Sequence, residues 1–410
     1  MPMPSPTSCP VHDVLIIGGG LVGASLAIAL EPLGLDVGLV EMAPADALPP
    51  VFDQRNLSFA EATVNALKAL GVLPLLRAPA GQIRRIHISR VGDFGRIWLN
   101  ARDYGREAFG LVVVARDFGQ ALDARLTQLT HLTRYRPARF VGLGEAPAGR
   151  RAVRISTDTG EQTLQARLLV AADGADSALR AALGIAVERH DYGQTLFVAR
   201  LQTRQPPDGT AYERLTDHGP TALLPRGDGH YGLVHAVSAD AAAAVAGLED
   251  AAFLARVQDH FGWRAGRFLA VGPRSAYPLQ RSVATGLTTE RAVLVGNAAQ
   301  AIHPLGAQGF NLGLRDALTL AECIADSPAD PGAVDVLERH VRRRAEDRQR
   351  TLAFSDGLAR LTANPSSLLR PLRSLGLVAG DGVGWLQGWL VGGAMGYRGD
   401  VPALCRKEVA

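Results

Sequence analysis

The sequence predicts an α/β chain: a Rossmann-like unit into which a sheet-rich, α+β unit is inserted. Three strand-to-turn junctions predict it. An apolar strand at 14–17 runs into Gly18, Gly20 and Gly23, spaced G-x-G-x-x-G, then into helical apolar spacing over 21–33 and a second strand at 37–40 closed by Glu41. Another buried strand, 168–171, runs into Asp173, Gly174, Ser177 and Arg180, spaced D-G-x-x-S-x-x-R. A third, 292–295, runs into GNAAQAIHPLGAQGFNLGLRD at 296–316 and on into a helix. Between the last two, from about 185 to 271, strands alternate with Gly, Pro and Asp turns.

The first junction has a specific physical purpose. Glycines at this spacing allow a tight turn, close approach of a pyrophosphate and close packing of helix on strand. The helix start supplies unpaired N–H groups and a positive dipole end. Glu41, roughly 20 residues on, stands where a ribose hydroxyl would donate to it. A helix over 61–70 follows, ended by Gly71, with Arg55 in the loop before it. Strands at 83–89, 97–100 and 111–115 lead to a helix over 117–129, N-capped by Asp117. Two strands over 153–170 turn at 157–160.

At the second junction Asp173 can bind a hydroxyl or a backbone N–H, and Gly174 permits close approach; a plain Asp-Gly turn with Ser177 as N-cap is the structural alternative. The inserted unit has strands at 195–201, 221–224 and 231–237, a hairpin turn at Asp228–Gly229, and a helix at 250–261. At the third junction Gly296, Gly306, Gly309 and Gly313 mark close backbone approach. Asn297 can donate to or accept from a polyol chain, and Pro304 stiffens the loop. The N–H groups of 308–311 would face an electron-rich ring edge. Helices follow at 311–324 and 334–363, and the charge-dense run 339–350 reads as a solvated helix face. Two distant glycine-bearing turns suggest one large cofactor held from both sides. Residues 11–80, 104–182 and 275–345 form the first unit, 81–103 and 183–274 the second, and 346–410 a helical tail.

Composition narrows the classes. The chain has 410 residues, 47% hydrophobic and 20% charged, as in ordinary globular proteins. A net charge of +3 gives no argument for nucleic acid. Cys9, Cys323 and Cys405 lack metal-ligand or redox spacing, so no metal is expected and a reducing compartment fits. No secretory signal and no long apolar run appear, so a cytoplasmic location is expected.

The ordered set of motifs, G-x-G-x-x-G with Glu41, D-G-x-x-S-x-x-R, and G-N-A-A-Q-x-x-H-P with Q-G-x-N-L-G-L-R-D, resembles the group-A flavin monooxygenases over nearly the whole chain. Most of that group carry Asp and His where this chain has Asn297 and Gln300. The variant, and a tail with Arg348, Asp356, Leu358 and Ala394–Met395–Gly396, is similar to the UbiH-type ubiquinone-biosynthesis hydroxylases. The resemblance implies a fold like that of p-hydroxybenzoate hydroxylase, with an FAD-binding domain and a substrate domain. It implies FAD held by the residues above, with Arg55, Arg116, Gln120, Gln308 and Asn311 also touching it.

NAD(P)H would be the co-substrate and would dock without a domain of its own. The implied reaction is ring hydroxylation of a polyprenylated phenol, 2-polyprenyl-6-methoxyphenol, para to its hydroxyl, with O2 and through a flavin C4a-hydroperoxide. Other ubiquinone-pathway proteins are implied as partners, with peripheral contact at the inner face of the membrane and a homo-oligomer as options. The apolar stretch 368–390, with Trp385 and Trp389, would line an entrance, touch a membrane surface, or pack as core. The alternatives are a hydroxylase of a soluble aromatic acid, a scaffold flavoprotein, and a prenyl reductase. Two departures stand out. The usual P-x-A-G-Q-G is Pro304–Leu305–Gly306–Ala307–Gln308–Gly309 here, and His235 stands where Trp is common. No side-chain catalyst is expected beyond two weak candidates, His303 and His235, the latter reading first as a hydrogen-bonded sheet histidine.

Overall fold

The computed structural model describes residues 9–303, 306, 308–362 and 370–406. Its first sheet has five parallel neighbours in the order Ala292–Leu294, Gly160–Ala171, Val11–Ile17, Val37–Val40 and Leu132–Tyr135. The chain builds outward from Val11–Ile17 on one side, then crosses to the other. The switch point therefore lies between Val11–Ile17 and Gly160–Ala171, where doubly wound sheets bind ligands at the carboxyl ends. Val14, Leu15 and Ile16 are all fully buried, as a strand covered on both faces requires. Val14 and Ile16 pack with Leu26, Leu122 and Leu318, from the helices Leu21–Leu30, Ala115–Leu126 and Gln308–Ala325. Leu15 and Ile17 pack on the opposite face with Val153, Ile155 and Leu164, from the hairpin Arg151–Thr157 and Gly160–Ala171.

The second sheet has nine strands; it runs from Gln300–Ala301 through Ser275–Ala284, Val187–Thr203, Tyr231–Ser238, Gly219–Pro225, Thr210–Thr216 and Arg85–Arg90 to Ile97–Asn100. Ser275–Ala284, placed with the first unit on sequence, is hydrogen-bonded along Val187–Thr203 in this sheet. One sheet face holds Phe197, Leu223 and Leu233 against Phe253, Val257 and Phe261 of the helix Asp250–Phe261. The hairpin at Asp228–Gly229 forms as expected, with Pro225 opposite Tyr231.

A third, small sheet pairs Asn56–Ala60 and Gly81–Ile83 with Gly110–Val114. The strand Asn56–Ala60 therefore occupies what the sequence reads as the loop between Arg55 and the helix Glu61–Ala69.

The 339–350 run departs from its expected solvated face. The helix Val334–Thr362 buries Val336, His340, Arg344, Asp347, Thr351 and Ser355, a stripe at helical spacing. Arg344 Nε donates to Asp316 Oδ1 at 2.8 Å and Arg344 Nη2 to Asp347 Oδ2 at 2.7 Å. Arg315 Nε donates to Asp347 Oδ2 at 2.6 Å. These charges fix the helix Gln308–Ala325 to its neighbour, and burial is tolerated because each is paired.

Candidate functional site

The two larger sheets, the strand Asn56–Ala60 and the C-terminal helices enclose one cavity of about 1380 Å³. Its near end is the switch point. Gly18 has φ +107°, and a Cβ there would stand 2.4 Å from the Ala172 carbonyl oxygen. A Cβ at Gly23 would stand 1.9 Å from the Gly18 oxygen. Both glycines let the first helix, the first strand and the end of Gly160–Ala171 meet. Gly20 caps the helix Leu21–Leu30 in extended conformation, with no side-chain cap and no acid in the first turn. That end presents open N–H groups to the cavity, the arrangement that receives a phosphate. Glu41 lines the same end; its carboxylate accepts from Gly19 N at 2.9 Å and Ala43 N at 2.8 Å.

Asp173 and Gly174 reach the cavity from the neighbouring strand, Gly174 at φ +93°. Asp173 accepts from Ser177 Oγ and, at 3.1 Å, from Leu179 N. Ser177 is indeed the N-cap of Ala178–Ala182. Arg180 Nη1 donates to the Ala298 oxygen at 2.9 Å, so the second motif braces the third. The capping and the cavity-lining readings of this motif thus hold together.

Gly296 abuts the first helix; a Cβ there would meet Val22 at 2.8 Å, as would one at Gly313. Asn297 is exposed in the cavity wall. Gln300 is buried and structural: its Nε2 donates to Asp316 at 2.6 Å and its Oε1 accepts from Arg348 at 2.8 Å. Gly306, at φ +70°, lines the cavity with Gln308, Gly309 and Asn311 at the start of Gln308–Ala325. Asn311 reads the edge of Asn56–Ala60, accepting from Ala60 N at 2.9 Å and donating to the Ser58 oxygen at 3.0 Å. Pro304, Leu305 and Ala307, and with them the exchanged Gly-Ala pair as a unit, lie outside the described residues.

Arg55 lines the cavity, held by Asp53 at 2.8 Å and stacked 4.4 Å from the Tyr277 ring centroid. Arg116 and Gln120 do not line it; both are exposed on Ala115–Leu126. The two histidine candidates also stand apart. His235 is fully buried on the helix-covered face of the second sheet, since the adjacent Val234 takes the cavity side. Its Nδ1 is 2.9 Å from Thr221 Oγ1, and its ring lies edge-on to Phe253. Burial pulls its pKa down to about 3, so it is neutral. His235 is therefore not a base at the cavity, which corrects its reading as a catalytic candidate; it sits hydrogen-bonded within the sheet, as its first reading has it. His303, 2% exposed, faces Tyr192 edge-on at 4.9 Å and is not in the lining. Burial lowers its pKa to about 4.

Of the far half of the cavity, the sequence offers only the stretch 368–390, as one of three readings of that stretch. The floor of this half is the open face of the second sheet, with Ile86, Ile88, Ala211, Leu215, Leu224 and Val234. Alternation along 211–215 signals such a face, but not what it faces. The helices Arg370–Gly382 and Gly384–Ala394 cover it with Gly376, Leu377, Leu390 and Ala394. At its end, Asp93 lies between Arg90 at 3.5 Å and Arg373 at 3.1 Å. The side chains of Trp385 and Trp389 lie outside those described. Among the described residues no three His, Cys, Asp or Glu are grouped for a metal, and no helix is long and apolar enough to cross a membrane.

Residues 11–355 match the family described as "FAD binding domain". The chain is 34% identical over 392 residues to the ubiquinone hydroxylase UbiL of Rhodospirillum rubrum, covering 94% of this chain and 90% of that one. It is 29% identical over 388 residues to the 3-demethoxyubiquinol 3-hydroxylase of Escherichia coli, covering 92% and 96%. Among solved structures, p-nitrophenol 4-monooxygenase PnpA from Pseudomonas putida matches with a TM-score of 0.77 at 16% identity, over 95% of this chain and 99% of that one; this likeness bears out the expected fold. The glycine turns that meet at the switch point and the match over most of the chain lead to one assignment: the chain belongs to the family of FAD-dependent hydroxylases that includes the ubiquinone hydroxylases.

Proposed function

We propose that the chain hydroxylates the ring of a polyprenylated phenol, 2-polyprenyl-6-methoxyphenol, para to its hydroxyl in ubiquinone biosynthesis, with NAD(P)H and O2. FAD supplies the oxygen activation. Gly18, Gly20 and Gly23 would admit its pyrophosphate to the first helix, Glu41 would take the ribose, and Asp173 and Asn297 would hold the linking polyol. The start of Gln308–Ala325 would meet the flavin ring, where its N–H groups stabilise negative charge. The protein's remaining tasks are to hold the substrate ring and keep water out.

The observation that carries the substrate class is the apolar far half of the cavity, between the open sheet face and the two C-terminal helices. A prenyl chain needs such a lining. A soluble aromatic acid would need a cation for its carboxylate, which an arginine of the lining could supply, but it would leave this apolar half unfilled.

Deletion of the gene, followed by mass analysis of quinone precursors, tests the proposal. Accumulation of a prenylphenol lacking one ring hydroxyl is expected. An unchanged quinone pool in a strain without a related hydroxylase overturns it.

A further inference from the structure

One acidic side chain in the cavity has no structural task. Glu41 and Asp173 accept backbone N–H groups, Asp176 pairs with Arg189, and Asp93 lies between two arginines. Glu213 lines the same cavity, yet has no hydrogen-bond or ion-pair partner among the described residues. It projects from Thr210–Thr216 with Ala211 and Leu215, which share its face by strand alternation. Its cross-strand neighbours are Ile88 on one side and Ala222 on the other, both also in the lining. Glu213 is half-buried, with its side chain open to the cavity, so its carboxyl group takes its hydrogen bonds from whatever fills that space. The described sheet residues supply none, so the partner is expected in the cavity.

We propose that the Glu213 carboxyl group accepts a hydrogen bond from the ring hydroxyl of the substrate and thereby sets which ring carbon is presented for oxygen transfer. The inference rests on the phenol reading above. It also accounts for a polar group in a pocket suited to a lipid: the prenyl chain takes the apolar lining, and the one hydroxyl takes Glu213. Burial raises the pKa of this carboxyl to about 7, so near neutrality it is divided between both forms, and the ionised form draws the phenol most strongly. The hydrogen bond also pushes electron density into the ring, which favours attack at the carbons ortho and para to the hydroxyl.

The test uses FAD-loaded wild type, Glu213→Ala and Glu213→Gln, with FAD content checked by visible absorbance. Each is titrated with 2-methoxy-6-geranylphenol and with its O-methyl ether, following the perturbation of the flavin spectrum. Wild type is expected to favour the phenol by about tenfold or more, the range for a hydrogen bond to a charged group. Glu213→Ala should bring that ratio near one with ether binding unchanged, and should scatter the position of hydroxylation. Glu213→Gln keeps an acceptor oxygen and should fall between, with a single product position. It decides alone if the alanine variant does not retain FAD. If the variants keep the wild-type preference and product position, Glu213 has no such role while the phenol reading stands. Equal wild-type binding of phenol and ether overturns the inference in the same way. If wild type binds neither compound, the phenol reading fails and this inference falls with it.

Discussion

Four buried histidines set the chain's response to acid. His87, His235, His303 and His340 are each at most 5% exposed, and burial is the leading cause that lowers their pKa values to about 4, 3, 4 and 3. They are neutral in the fold, whereas in the unfolded chain they titrate near 6.5. Below that pH the unfolded chain binds protons that the fold refuses, so stability is complete above about pH 6.5 and drains as pH falls toward 4. Glu213, raised to about 7, acts oppositely across the same window and offsets about one histidine. The net loss between pH 7 and 5 is on the order of 5 kcal/mol, enough to lower a urea midpoint sharply. A midpoint unchanged over that interval would contradict the neutral, buried state of these rings. At this scale the sequence was legible where a residue constrains its own backbone. Gly18 and Gly174 sit at positive φ beside the switch point, as their motifs imply. It was not legible where strand parity decides, as between Val234 and His235, because one residue of register sends a side chain to the opposite face.

The helix Gln308–Ala325 brings the third motif to the cavity, and its position depends on charges two turns in. Asp347 accepts from Arg315 at 2.6 Å and Arg344 at 2.7 Å, with all three side chains nearly inaccessible. Removing one member of such a set leaves buried charge without compensation. Asp347→Ala is therefore expected to cost roughly 3–5 kcal/mol, read as a lowered denaturant midpoint, and to weaken FAD retention because the helix start loses its backing. A loss below about 1 kcal/mol would show that the network is not what holds this helix. The sequence marked both helices closely: 311–324 against Gln308–Ala325, and 334–363 against Val334–Thr362. It missed that the second one buries charge. Residues 340, 344, 347, 351 and 355 fall on one face, but a polar stripe resembles a solvated one until its ion-pair partners at 315 and 316 are known. Gln300 follows the same logic. Its motif reads as flavin-side, whereas its bonds to Asp316 and Arg348 tie the turn to those helices.

For the molecule as a whole, the far half of the cavity lies under an exposed apolar surface. Phe94 is 63% exposed, Leu375 57% and Val378 45%, and they belong to one locality: Phe94 N donates to Ser374 Oγ at 3.2 Å, and a Cβ on Gly95 would stand 2.9 Å from Val378. On the same helix, Arg373, Gly376 and Leu377 line the cavity. One helix thus has apolar residues facing outward and cavity-lining residues facing inward, which suits a substrate that arrives from a bilayer. Each outward side chain contributes about 1.5–3 kcal/mol when fully removed from water, so three support reversible surface contact rather than permanent insertion. If the substrate is the prenylphenol proposed above, this surface is expected to rest on the membrane while substrate enters. FAD-loaded wild type should float with vesicles of phosphatidylethanolamine and phosphatidylglycerol. The triple variant Phe94→Ser, Leu375→Ser, Val378→Ser should remain in the soluble fraction with its FAD content and its turnover of a short-chain phenol intact. It should lose turnover only of long-chain substrate presented in vesicles. Flotation of the triple variant to the wild-type extent would remove this surface from substrate entry, and loss of short-chain turnover would show that the substitutions disturb the cavity cover instead.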